Sequence, residues 1–102
     1  MEIYERVAKH IRIRLPEVRE IRLNGKPTAY CPVDLRCEFD NMVVYVSREK
    51  VGGRNIWYIY YPKDPEEKLR MNFRRVSATT SEKSMLCCLE DIVRGGGLYD
   101  CI

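Results

Sequence analysis

The stretch Val51-Gly52-Gly53-Arg54-Asn55-Ile56-Trp57-Tyr58-Ile59-Tyr60-Tyr61 is the centre of the chain's organisation. Its second half is the run most favourable to β-structure, because aromatic and β-branched side chains suit a pleated, half-buried surface. Its first half is a tight connection whose two glycines join this strand to the one before it. Upstream, Met42 to Ser47 is rich in valine and reads as that preceding strand, entered through a turn at Asp40-Asn41. Further back, Cys31, Val33, Leu35, Cys37 and Phe39 alternate with Pro32, Asp34, Arg36 and Glu38, the period-two pattern of a strand with one face buried. Pro32 puts the start of that strand at a sheet edge or a bulge. Val18 to Leu23 reads as the first strand, ending at Asn24-Gly25, a strong two-residue hairpin signal.

Downstream, Pro62 to Lys68 is a loop or one helical turn, with Asp64 as its N-cap and Pro65 at the first helical position. Leu69, Met71 and Phe73 then alternate with Arg70, Asn72 and Arg74, which gives a fifth strand. A helix precedes these strands and another follows them. In residues 2–15, Ile3, Tyr4, Val7, Ala8, Ile11 and Leu15 form an apolar stripe roughly 140° wide at the helical period. Glu2–Arg6 and Glu5–Lys9 stand as acid-first pairs on the remaining surface, Ile13 lies off the stripe, and Pro16 stops the helix. From about Ser81 to Arg94, Met85, Leu86, Cys88, Leu89, Ile92 and Val93 form a second stripe. Thr79 and Glu82 have capping-box spacing, Gly95 suits a left-handed C-terminal cap, and Leu98 to Ile102 is an apolar tail.

The expected architecture is therefore α+β: a mainly antiparallel sheet of about five strands with two helices on one face. Leu35-Arg36-Cys37-Glu38-Phe39 resembles Leu69-Arg70-Met71-Asn72-Phe73, which suggests two related halves, about 1–50 and 51–102. At 102 residues the chain is one domain. Its 45% hydrophobic content is too high for a disordered chain. The net charge of +3 arises from 18 basic and 15 acidic residues that are well interspersed, so phosphate binding is permitted and not demanded. No run approaches the roughly 18 apolar residues of a membrane span, and the charged N-terminus does not read as a secretory signal; the expected location is the cytoplasm.

No recognisable active site assembles. His10 is the one histidine, on the polar side of the first helix, and reads as a surface residue. Cys31 and Cys37 lie six residues apart on one strand, about 20 Å, too far to share a zinc. Cys31, Cys37 and Cys88 read as small core hydrophobes, leaving Cys87 and Cys101 reachable. Gly95 to Gly97 follows a helix instead of preceding one, so it is no phosphate loop. Neither a catalytic residue, a metal site nor a cofactor is expected.

What remains is a surface. With both helices on one face, the other face is left to solvent and carries Arg36, Glu38, Arg70, Asn72 and Arg74. Whichever parity of the aromatic strand turns inward, either Trp57 and Tyr61 or Tyr58 and Tyr60 face out. Tyr, Trp and Arg are over-represented in interface cores. The expected function is a non-enzymatic protein- or peptide-binding module using Trp57, Tyr58, Tyr60, Tyr61, Arg70, Arg74 and Arg75, or the groove between the two halves. The alternative is nucleic-acid binding on the same surface, with bases stacked on Tyr or Trp and phosphates held by arginine. A homodimer is a further way to cover the face.

In its Arg/Glu/Lys-rich faces, the tyrosine-heavy run Ile56–Tyr61 and the vicinal Cys87-Cys88, the chain resembles the small orphan proteins of viruses of hyperthermophilic archaea. The likeness is one of composition over the whole chain. It implies an interaction protein and makes an intracellular disulfide less surprising, and it supplies no functional residues.

Overall fold

The computed structural model describes residues 2–24, 34–40, 42–62 and 73–95. They form α1 (Glu2–Arg14), β1 (Glu20–Asn24), β2 (Asp34–Glu38), β3 (Val43–Val51), β4 (Arg54–Pro62), β5 (Phe73–Thr79) and α2 (Glu82–Arg94). The five described strands make one antiparallel meander in the order β1-β2-β3-β4-β5. The fold is the expected α+β arrangement. Two matching halves are not evident: three strands follow α1 and two precede α2, and the β3–β4 hairpin spans the proposed boundary.

Both helices lie on the same face because both apolar stripes need the same partner. Val7, Ile11 and Leu15 of the first, and Met85, Leu89 and Ile92 of the second, meet Leu35, Cys37, Val44, Val46, Trp57 and Ile59 in one buried cluster. Ile13 projects away from it, 77% exposed. The helices are joined by a polar seam. Arg94 Nη2 donates to the Arg14 carbonyl at 2.9 Å, so the last turn of α2 satisfies a carbonyl at the end of α1.

Several local expectations are corrected. Ile21 pairs with Cys37 and Leu23 with Leu35, so the paired residues Asn24 and Asp34 have nine residues, 25–33, between them. A two-residue turn at Asn24-Gly25 does not make this hairpin; matching the apolar positions of the two strands outweighs the local turn signal. Asp64, Pro65, Cys31 and residues 96–102 lie outside the described residues. The N-cap of α2 is Ser81, whose hydroxyl accepts from Ser84 N at 3.1 Å, while Thr79 Oγ1 accepts from Ser81 N. Gly95 closes the helix at φ −80°, without the left-handed conformation.

The glycine connection is as read. Gly52 and Gly53 have φ of +58° and +80° between the paired Val51 and Arg54, which fits the I′ turn that matches strand twist. β3 and β4 run longer than the sequence suggested, and the hairpin outreaches its neighbours. β2 pairs no further than Ser47 and β5 no further than Trp57. Where β2 stops, Tyr4 of α1 takes over: its hydroxyl accepts from Arg48 N at 3.0 Å.

The second face of the sheet is not left to solvent. Ser47 is fully buried there, Asp34, Tyr45 and Tyr58 are buried, and Arg36 and Tyr60 are half-buried. Among the described residues, no helix is long and apolar enough to cross a membrane.

Candidate functional site

The aromatic and arginine residues assemble in part. Trp57 and Ile59 turn to the helices and Tyr58 and Tyr60 to the second face, as strand alternation requires. One continuous row crosses all five strands on that face: Arg22, Arg36, Tyr45, Tyr60 and Arg75. Arg75 stacks over the Tyr58 ring at 5.0 Å, and Tyr45 packs on Phe73 with ring centroids 4.7 Å apart. The row is the predicted composition without the predicted openness. Trp57 is 3% exposed and Tyr58 7%, so neither is a surface anchor.

The arginines also redistribute. A register shift between Ile59 and Tyr60 inserts Val76 as an extra residue, so Tyr60 faces Arg75 and Tyr61 faces Arg74. Phe73 and Arg75 therefore lie with Tyr60 on the second face, while Arg74 shares the helix-side parity of Tyr61. The simple alternation that grouped Arg74 with Arg36 is overturned by that bulge. Arg70 lies outside the described residues.

Among the described residues, two grooves open elsewhere. The first, about 310 Å³, runs between the helices and is lined by His10, Ile13, Arg14, Glu82, Lys83 and Leu86. Of its lining, His10, Glu82 and Arg14 are engaged in polar contacts across the helix seam. Arg6 Nη2 donates to Glu82 Oε1 at 2.7 Å, His10 Nδ1 lies 3.2 Å from Glu82 Oε2, and Arg14 Nη1 lies 3.4 Å from Glu90 Oε1. His10 is thus a seam residue instead of an isolated surface group. Seventy-two positions separate it from Glu82, and no local signal joins them.

Burial on its own would raise the Glu82 pKa, but the hydrogen bonds from Arg6 and His10 outweigh it and hold the carboxyl below its ordinary value. A depressed carboxyl stabilises the fold above the ordinary pKa of about 4.5, and that contribution is lost as pH falls through the folded value. Glu82→Gln should cost roughly 0.5–1 kcal/mol at neutral pH, the scale of partly exposed pairs, and flatten the acid limb of the stability curve. Urea titrations of both proteins from neutral pH to below pH 4 measure the difference; parallel acid limbs would show that Glu82 does not carry it.

The second groove, about 330 Å³, lies between α1 and β1. Ala8, Ile21, Leu23 and Leu35 form its apolar floor, while Lys9, Arg12 and Arg22 stand on its walls against a single acid, Glu5. Leu23 is 44% exposed although it belongs to the core-facing side of its strand. Lys9 and Arg12 make no ion pair among the described residues, and the Glu5–Lys9 pair expected from spacing does not form; Arg22 is held at 3.6 Å from Glu20. Among the described residues β1 has one neighbour, β2, and Ile21, Arg22 and Leu23 of β1 line the groove. These elements combine an apolar slot, two cations without a described ion-pair partner and a strand edge that no described strand covers.

The sequence carries no local signal of this site. Lys9 and Arg12 lie on the polar shoulder of an amphipathic helix, and only the crossing of α1 over β1 places them beside Leu23.

Cys37 is buried, Cys88 packs against the core and Cys87 is exposed, as expected for these three. No group of three or more His, Cys, Asp or Glu side chains converges among the described residues. Compared with protein-family models, curated proteins and solved structures, the chain matches none.

Proposed function

We propose that the protein is a non-enzymatic module that binds an extended, acidic stretch of another protein along β1. The observation that carries this reading is the α1–β1 groove, where an apolar floor with exposed Leu23 meets Lys9 and Arg12, cations without an ion pair among the described residues, beside an edge of β1 that no described strand covers. A peptide added to such an edge gains main-chain hydrogen bonds for affinity, and alternate side chains supply selectivity. One apolar side chain fills the slot, and flanking carboxylates meet Lys9 and Arg12. This keeps the peptide-binding function expected from the sequence and moves it from the aromatic strand to the sheet edge.

The test is fluorescence anisotropy with a labelled peptide of alternating valine and glutamate and, as its control, alternating valine and lysine. The acidic peptide should bind, and Leu23→Asp should weaken it on the order of tenfold, as an introduced like charge at the slot repels the ligand. Lys9→Gln/Arg12→Gln should weaken it to a smaller extent and reduce its salt dependence. Equal binding of both peptides, or full binding by Leu23→Asp, would sink the proposal.

A further inference from the structure

The β3–β4 hairpin extends past the described ends of β2 and β5. Past the Arg48–Trp57 pair, the pairs Glu49–Ile56, Lys50–Asn55 and Val51–Arg54 continue with no flanking strand among the described residues. Alternation puts Lys50 and Asn55 on one face of this ribbon, and Val51 and Arg54 on the other. Residues 50–55 are all exposed, Val51 to 48%. The base of the ribbon is anchored: Trp57 is in the core, Arg48 lies over its ring at 6.0 Å, and Tyr4 holds the Arg48 backbone.

The charge at the tip is of one sign. Glu49 is drawn onto the second face, where it accepts from Ser47 Oγ at 2.9 Å and from the Tyr60 hydroxyl at 3.3 Å. Lys50 and Arg54 make no ion pair among the described residues. Two long cationic side chains are therefore presented, one to each side of a two-stranded arm anchored at its base.

We infer that this ribbon is a contact for duplex DNA that enters the major groove. Two strands lie about 4.8 Å apart, and with side chains the ribbon fits a groove about 12 Å wide. Lys50 and Arg54 then face the phosphates on opposite walls. The major groove of A-form RNA is too narrow and deep for this arm, so the inference commits to DNA. It is independent of the peptide groove on α1 and β1, which shares none of these residues.

The test measures binding of a labelled mixed-sequence DNA duplex of about 20 base pairs at about 50 and 200 mM salt. The native protein should bind, weakening as salt rises. Lys50→Gln/Arg54→Gln should lose on the order of tenfold in affinity at the lower salt and reduce the salt slope by about 2, one for each lost phosphate contact. Arg19→Gln/Lys83→Gln removes equal charge at exposed positions elsewhere and should stay within about threefold of native affinity. Circular dichroism confirms that both variants are folded. Four results overturn the inference: no binding at low salt, equal losses in the two double variants, equal binding of an RNA duplex, or displacement by poly-glutamate as readily as by unlabelled DNA.

Discussion

Replacing Trp57 by alanine should destabilise the protein by about 3–5 kcal/mol, the usual cost of removing a fully packed tryptophan. The ring is 3% exposed, between the two helices and the sheet, with the edge of Tyr4 against it at 6.4 Å and 79°. Alanine would leave a void bordered by elements that cannot all move inward, because Tyr4 is also tied to the backbone of Arg48. Domains of this size have a total stability of about 5–15 kcal/mol, so the variant should melt tens of degrees lower or fail to fold at all. Trp57→Phe keeps most of the apolar volume and should lose much less. As Trp57 is the one tryptophan, the native protein should emit at short wavelength and shift to the red on unfolding; circular dichroism follows the variants. A cost under about 0.5 kcal/mol is what a surface anchor predicts, and would contradict the packing described above.

That residue shows what a sequence does and does not disclose. The run Ile56–Tyr61 is legible as a strand because every side chain in it favours one, but its facing is not, because both of its faces are buried and aromatic. Periodicity determines orientation only when one parity is clearly polar. α1 and α2 meet that condition, and each of their stripe residues packs in or against the core. β5 fails it for another reason: the extra residue at Val76 reverses the parity of Arg74 and Arg75 with no marking glycine or proline. Asn24-Gly25 illustrates the converse, a strong local turn signal overridden by the pairing of Ile21 with Cys37 and Leu23 with Leu35.

The two candidate contact surfaces were hidden for different reasons. The α1–β1 groove depends on a helix crossing over a strand, which no sequence window contains. The ribbon was half visible: its two glycines announce the turn, but its reach depends on where β2 and β5 stop. Lys50 and Arg54 become conspicuous only once no described strand flanks them. In both cases the exposed chemistry sits at the margins of the described sheet. The tyrosine row, which looks most like a binding surface in composition, is instead largely taken up by internal packing.

Raising the pH should unfold the protein through Cys37 before any other described group. The thiol is fully buried beneath the helices, and burial pushes its pKa up from 9.0 to about 12, with Arg12 and Arg36 offsetting only part of that effect. The folded state holds this proton more tightly than the unfolded state. Its stabilising contribution is therefore complete below pH 9 and is lost progressively as pH rises towards 12. The full loss is on the order of 4 kcal/mol, a large share of what a domain of this size has. Tyr4 is also raised by burial, but from 10.0, so the first part of the alkaline limb belongs to the thiol. Cys37→Ala should be somewhat less stable at pH 7, because a small cavity replaces the sulfur, yet its stability should fall less steeply between pH 9 and 10. Urea titrations across that range provide the comparison. Thiol labelling supplies an independent check in the native protein at pH 8: exposed Cys87 should react at once, and Cys37 only as fast as the molecule unfolds. Rapid labelling of Cys37, or identical alkaline limbs in the two proteins, would mean that the helices do not seal this part of the sheet.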